Sequence, residues 1–333
     1  MNSADLSIRP YLIGILLGAT YGIATRVFTA LGPFNDLWGV MTIGFLIIVP
    51  VVIGYLTVRP VVAPSRSFRF FAPWPTCVVT VIVAALLGME GTICIVMGLP
   101  LMLLLSSLGG FVGGSVGGRE TPAMLPILVL LPYIVAPLER GRELPTHLSV
   151  TRTTIDVTAP AATVWPLVAS VDSIRPEEER LALYTAMGFP HPVSAVIDRP
   201  GIGGVRAARF TGGLVFTERV TDWEPGRRLS FTIRANTDDI PATTLDPHVT
   251  IGGPYFDVLT GTYELQPLSN GGVRVVLTSE HRVSTPFNLY AGAWTNVVMR
   301  SIQSNILAVI KARAERATRA PAAAPHRPGA PAA

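Results

Sequence analysis

The spacing of hydrophobic and polar residues divides this chain into two parts. Residues 1–138 form long apolar stretches that contain only ten charged side chains. The later residues alternate between apolar and polar over short segments that are separated by Gly, Pro and Asn. A helix that crosses a membrane needs roughly 20 mostly apolar residues. The pattern therefore predicts a helical membrane part followed by a separately folded domain.

Five apolar segments in the first part are candidate membrane spans. The fifth segment is short and contains four prolines, which remove backbone donors and kink helices. The first segment could alternatively be a signal peptide, but Asp5 precedes it and further apolar segments follow. The sequence therefore predicts a transmembrane domain of about five helices over 1–138, with spans at 11–31, 37–58, 76–89, 93–117 and 122–138.

Arginines indicate the orientation of these segments, because Lys and Arg are retained on the cytoplasmic side. If all five segments cross, the arginines outside the spans of this part fall on one side with the amino terminus. These are Arg9, Arg59, Arg66, Arg69 and Arg119. We therefore expect a multi-pass protein of the cell membrane whose second part lies outside the cytoplasm. If the fifth segment does not cross, the second part is cytoplasmic.

A row of small residues marks one face of the fourth segment. Gly109, Gly113 and Gly117 recur every fourth residue, a spacing that lets another helix approach closely. Packing against a helix of the same chain is one interpretation, and a homodimer contact through this face is the other. Both use the same packing physics, so the spacing does not separate them.

The second part has the pattern of an α+β domain. A polar linker over 139–147 precedes a domain over 148–317, and a Pro/Ala-rich tail over 318–333 is expected to be disordered. The domain begins with a strand at 148–157 and two helices, the second at 176–188. Six further alternating segments predict an antiparallel meander, with turns at 224–226 and 269–272. A long amphipathic helix over 286–316 needs a partner for its apolar face, and a curved antiparallel sheet would provide it.

Three segments of this domain resemble a known superfamily. They are TRTTIDVTAPAATVWPLVASV, the hairpin sequence WEPGRRLSF, and LYAGAWTNVVMRSIQSNILAVIKARAE. Over residues 148–317 the chain resembles the polyketide cyclase/START-like (SRPBCC) superfamily, whose fold is the helix grip. The resemblance implies an apolar cavity between the sheet and the long helix, which relatives use for lipids, sterols, polyketides or aromatic metabolites. No family resemblance is evident for residues 1–138.

Candidate site residues follow from the resemblance and from strand alternation. Leu214, Phe216, Glu218 and Val220 share one face of a strand, although alternation alone does not say which face points inward. The candidate ligand-binding residues are Phe216, Tyr255, Asp257, Tyr263, Trp294 and Val298. Glu218, Asp257, Glu280 and His281 are the side chains suited to acid/base chemistry. Each of these four also has a plainer interpretation, because charged residues that alternate with apolar ones usually face solvent.

Composition excludes several other functions. The net charge is +4, but 25 of the 26 basic residues are scattered arginines, which disfavours nucleic acid as a partner. Two cysteines and five unclustered histidines predict neither a disulfide framework nor a metal site, and no cofactor motif is present. Three functions remain: a membrane-anchored binding domain for an apolar molecule or lipid, a cyclase/dehydratase-type enzyme, or a membrane protein that binds a protein partner.

Overall fold

The computed structural model describes residues 3–31, 41–116, 124–139, 142–178, 182–236 and 251–319. It gives a helical first part and a second part in which one sheet packs against a long helix. Gly117 and the predicted tail beyond residue 319 lie outside the described residues. The structure therefore shows the two parts that the hydrophobic pattern predicted, the first helical and the second built of strands and helices.

Apolar helices make up the first part. They are α1 (Ser3–Ala30), α2 (Gly44–Val58), α3 (Arg66–Phe71), α4 (Pro73–Leu86), α5 (Thr92–Val116) and α6 (Met124–Glu139). Three helical stretches are long and apolar enough to cross a membrane, namely Ile8–Ala30, Arg66–Leu86 and Thr92–Ser115. Helix α2 and the stretch Leu125–Glu139 are apolar but shorter. The number of spans therefore stays a prediction.

Helices α2 and α5 approach each other through glycines. A methyl group added to Gly109 would lie 1.8 Å from the carbonyl oxygen of Val51, and one added to Gly54 would lie 1.8 Å from that of Ser106. Gly113 faces the backbone of Tyr55 in the same way. The glycine row of α5 is thus used for packing within the chain, while a homodimer stays a prediction.

The last residue of α6 is bonded to the first turn of α2. The Glu139 carboxylate accepts hydrogen bonds from the backbone nitrogens of Ile43 at 2.8 Å and Gly44 at 3.1 Å. A carboxylate is favourable at a helix N-terminus because the free backbone N–H groups point toward it. This bond fixes the start of the linker against the helical part.

The second part contains a seven-stranded antiparallel sheet. In chain order its elements are β1 (Thr146–Val157), α7 (Ala161–Ala169), α8 (Leu183–Ala186), β2 (Pro192–Ile197), β3 (Val205–Phe210), β4 (Val215–Glu224), β5 (Arg228–Asn236), β6 (Phe256–Pro267), β7 (Val273–Ser284) and α9 (Asn288–Arg319). The strand order is β1-β7-β6-β5-β4-β3-β2. The predicted strands and the long closing helix are confirmed. The predicted helix over 176–188 is wrong, because only a 3-10 turn at Pro176–Glu178 and the short α8 form among its described residues.

Helix α9 lies against the sheet through an apolar core and a polar contact. Leu307 and Ile310 pack against Val275 and Leu277 of β7. Gln303 donates through Nε2 to the Ser279 hydroxyl at 3.0 Å and accepts at Oε1 from the Thr153 hydroxyl at 2.6 Å. Since the amide of Gln303 is bonded to two strands, it fixes the position of α9 across the sheet.

Candidate functional site

An apolar cavity of about 380 Å³ lies between the sheet and α9 and continues toward the helices of the first part. Its wall includes Leu214 just before β4, Phe216 of β4, Leu277 of β7, and Val298 and Ile306 of α9. Alternation places every second strand residue on the inner face. The face that holds Leu214, Phe216, Glu218 and Val220 is therefore the buried one.

One ion pair interrupts this apolar wall. Arg206 of β3 and Glu218 of β4 are opposite each other in the antiparallel register, and Arg206 Nη1 donates to Glu218 Oε2. Both side chains line the cavity, and only 6% and 9% of their surfaces are exposed. Buried charges need such a partner, because water no longer solvates them.

Aromatic rings on the next two strands surround the guanidinium group. The Arg206 carbon Cζ lies 5.4 Å from the ring centre of Phe231 and 5.9 Å from that of Tyr263. A cation near the face of an aromatic ring is attracted by the ring quadrupole. Gly261 makes room for the Phe231 ring, since an added methyl group would lie 2.5 Å from it.

Burial alters the acid/base properties of this cluster. Burial raises the pKa of Glu218 despite the neighbouring guanidinium, and burial likewise raises the pKa of Tyr263. Burial alone would lower the pKa of Arg206, but Glu218 and Tyr263 together outweigh this influence and raise that pKa. The cluster therefore offers a bound ligand a fixed cation, a carboxyl group that takes up a proton more readily than usual, and a phenol.

A second ion pair lines the same cavity within the helical part. Arg26 of α1 donates through Nε to Glu90 Oε1 at 2.5 Å, and only 5% of the Arg26 side chain is exposed. Glu90, in the turn between α4 and α5, supplies the partner that a buried charge such as Arg26 needs because water no longer solvates it. Within the described ranges, the cavity wall thus holds one ion pair in each part of the chain.

Most predicted site residues line the cavity. Phe216, Tyr255, Tyr263 and Val298 do so, together with the acid/base candidate Glu218. Four of the six predicted ligand-binding residues are therefore brought together around one space.

The other candidates lie elsewhere. Asp257 is not among the described lining residues, because a β-bulge between Val258 and Thr260 reverses the alternation that would put it on the face of Tyr263. Trp294 packs where α9 meets α8 and is not among the described lining residues. Glu280 is exposed and accepts a hydrogen bond from the Thr260 hydroxyl.

His281 is fully buried but, among the described residues, is not part of the cavity wall. Burial lowers the pKa of His281, and His147 lowers it further. Neither Glu280 nor His281 is therefore positioned to act on a molecule in the cavity.

The folded chain is expected to lose stability below pH 6.5 because of His281. Its pKa is lower in the folded than in the unfolded chain, so the unfolded chain binds more protons as the pH falls. The stability it contributes is complete above the ordinary value of 6.5 and is lost as the pH falls through the folded-state pKa. Thermal unfolding of wild type and His281→Leu across pH 5–8 would measure this, and equal pH dependence in the two chains would contradict it.

Sequence reasoning missed Arg206. The sequence contains a signal for this residue, because a hairpin that turns at 211–213 places residue 206 opposite residue 218. An isolated arginine on a strand is nevertheless ordinarily read as a solvent-facing residue. Gln303 and Ser279 also line the cavity. They were missed as well, because isolated polar residues are ordinarily read as solvent-facing. Among the described residues, no group of three or more His, Cys, Asp and Glu side chains is placed to hold a metal ion.

A known protein family matches the second part of the chain. A family model described as "Polyketide cyclase / dehydrase and lipid transport" matches residues 148–315, which confirms the resemblance predicted from the sequence. A search of curated proteins found no match.

Solved structures similar to the second part include three from bacteria. The ZhuI aromatase/cyclase from Streptomyces sp. R1128 is 21% identical, with a TM-score of 0.32, and the match covers 52% of this chain and 98% of that one. A START superfamily protein from Mycobacterium smegmatis is 11% identical (TM-score 0.33; 50% and 98% covered). A protein from Rhizobium leguminosarum described as uncharacterized is 15% identical (TM-score 0.33; 52% and 97% covered).

Proposed function

Because this chain belongs to the polyketide cyclase / dehydrase and lipid transport family through residues 148–315, we propose that it binds an apolar small molecule or lipid and holds it beside a membrane. The observation that carries this proposal is an open apolar cavity whose wall in the second part contains one buried ion pair. Ligand sites typically combine an apolar lining with a few placed polar groups. Arg206, Glu218 and Tyr263 would bind the polar end of such a ligand.

The helical part supports membrane anchoring. Three of its helical stretches are long and apolar enough to cross a membrane. In addition, large apolar side chains of these stretches, such as Leu16, Leu86 and Leu104, are 58–81% exposed on the outer surface. Apolar surface of this kind is suited to lipid contact. A tethered domain would sample bilayer-dissolved ligands at a high effective concentration. We further propose, from the arginine pattern, that the domain lies on the outer side of the cell membrane, which requires all five apolar segments to cross.

The full chain, purified from membranes in detergent, is expected to carry a ligand that native mass spectrometry detects and solvent extraction identifies. Ala208→Trp fills the cavity from β3 and should reduce the recovered ligand at least tenfold. Ala207→Trp is the matched control, since alternation directs residue 207 to the opposite face of the same strand. Equal ligand recovery from both variants would contradict binding in this cavity.

An enzyme of the cyclase/dehydratase type is the second candidate function. The observation in its favour is the Glu218 carboxyl group, whose raised pKa and position beside Tyr263 suit it to donate and accept protons. Conversion of the recovered ligand by the wild-type chain would favour the enzyme, and an unchanged ligand would favour binding alone. The third function, a partner-binding domain with a filled cavity, loses its main support because the cavity is open.

A further inference from the structure

The cavity of the sheet domain is continuous with space between the membrane-type helices. Ile53 of α2 and Gly98 and Met102 of α5 line the same cavity as Phe216 and Leu277 of the sheet. More than 100 positions of the chain separate the residues of the helices from those of the sheet. The continuity of the cavity therefore arises only from the way the two parts pack. A molecule in the sheet domain is therefore in contact with the interior of the helical part.

A packed junction holds the two parts together next to this passage. Tyr290 near the start of α9 donates a hydrogen bond from its hydroxyl to the Met97 carbonyl of α5. Tyr184, Met187 and Val298 form a buried apolar cluster, which Met97 also contacts. Because Tyr290, Met97 and Val298 also contribute to the cavity wall, the junction itself encloses part of the passage.

We propose that a long-chain lipid moves between the bilayer and the sheet domain through this passage without entering water. The route runs between the amino-terminal ends of α2 and α5, beyond their glycine contacts, and past Gly98. The inference rests on the proposed function and names the route and the class of ligand. The passage is lined by Ile53, Met102 and other apolar side chains, which suit a hydrocarbon chain. A polar group on such a lipid meets Arg26–Glu90 in the helical part and Arg206–Glu218 in the sheet domain.

Gly98 is the position at which this route can be blocked with little disturbance of the fold. It lines the cavity on α5, and a methyl group added there would have no described atom within 4 Å. A tryptophan at this position would occupy the passage, whereas the neighbouring backbones need not move. Leu104→Trp is the matched control, because it places the same side chain on the same helix at a site that is 58% exposed.

The experiment uses the full chain in phosphatidylcholine vesicles that contain a phosphatidylcholine with a diazirine in one acyl chain. After irradiation, mass spectrometry maps the labelled peptides. In the wild type we expect labels in α5 around Met102 and in the sheet domain around Phe216 and Leu277. Gly98→Trp should lose the sheet-domain labels at least tenfold and keep those in α5, whereas Leu104→Trp should match the wild type.

Sheet-domain labelling in Gly98→Trp equal to that in the wild type would overturn the route. A parallel reaction in detergent micelles separates this failure from failure of the proposed function. Wild-type chain labelled in the sheet domain in micelles but not in vesicles contradicts only the route. Chain labelled there in neither medium contradicts ligand binding as well. Thermal unfolding verifies that the variant is folded, and the smaller Gly98→Leu takes its place if Gly98→Trp is not.

Discussion

Replacing Glu218 with alanine is expected to destabilise the folded chain by about 3–5 kcal/mol, the range for removing one partner of a buried ion pair. The guanidinium of Arg206 would remain in the cavity wall with no carboxylate beside it. Phe231 and Tyr263 contribute a cation–π attraction of about 2 kcal/mol. This attraction is already present in the wild type, so it cannot replace the lost partner. Urea unfolding of the full chain in detergent, followed by tryptophan fluorescence, measures the effect.

The opposite substitution, Arg206→Met, should behave differently because a carboxyl group can become neutral and a guanidinium cannot. Loss of the cation leaves only the influence of burial, which raises the pKa of Glu218. A carboxyl group whose folded-state pKa is raised contributes stability below its unfolded value of 4.5, and this stability is lost as the pH rises through the folded-state pKa. Relative to the wild type at the same pH, Arg206→Met is therefore expected to lose more stability at pH 8 than at pH 5, whereas Glu218→Ala should be destabilised at both.

An exposed ion pair in the adjacent hairpin provides the control. Arg228 and Asp222 are 2.6 Å apart, but 41% and 31% of their side chains are exposed. Asp222→Ala is expected to cost at most about 1 kcal/mol, because solvent screens such pairs. The double variant Arg206→Met/Glu218→Leu should regain most of the stability that Glu218→Ala loses. Equal stability of Glu218→Ala and Asp222→Ala would show that burial of the first pair has no energetic consequence.

Gly109→Ala should destabilise the helical part by about 3 kcal/mol, although alanine normally favours helices. The added methyl group would lie 1.8 Å from the Val51 carbonyl oxygen and 2.8 Å from the Tyr55 nitrogen. Both atoms belong to the backbone of α2, so no side-chain rotation can relieve the contact. The two helices would have to separate, which also disturbs Gly54 and Ser106 on the facing surfaces.

Gly98→Ala on the same helix is the matched variant. An added methyl group there meets no described atom within 4 Å, so the intrinsic preference for alanine should leave stability unchanged or raise it by up to about 1 kcal/mol. Thermal unfolding in detergent, followed by circular dichroism, would compare the two chains. If both substitutions have the same effect, the close approach of α2 and α5 is not the reason that glycine is found at position 109.

The sheet and the long helix could be predicted because their signals are local. Alternation in each strand and the turns near Gly226 and Asn270 are written in short segments, and the structure places β4–β5 and β6–β7 as hairpins around them. The face of β4 that holds Phe216 and Glu218 follows from the same alternation. Because that face is the buried one, the position of both residues in the cavity wall follows from the alternation.

The remaining features depend on contacts between distant segments. The bulge between Val258 and Thr260 has no local sequence signal, and it moves Asp257 away from the site. Arg206 becomes a site residue only because Glu218, Phe231 and Tyr263 on three other strands surround it. Similarly, Arg26 is paired by a residue 64 positions away. Spacing along one segment does not report such pairings.

The junction between α5 and the sheet domain has a consequence for producing the domain as a recombinant fragment. A fragment that begins at Thr146 would lack Val96 and Met97, which cover Tyr184, Met187 and Val298 in the full chain. The cluster would then present an apolar patch to the solvent where these two side chains are missing. Proteins with such patches tend to self-associate. Poor solubility of the isolated fragment would therefore reflect a missing cover rather than an unstable fold.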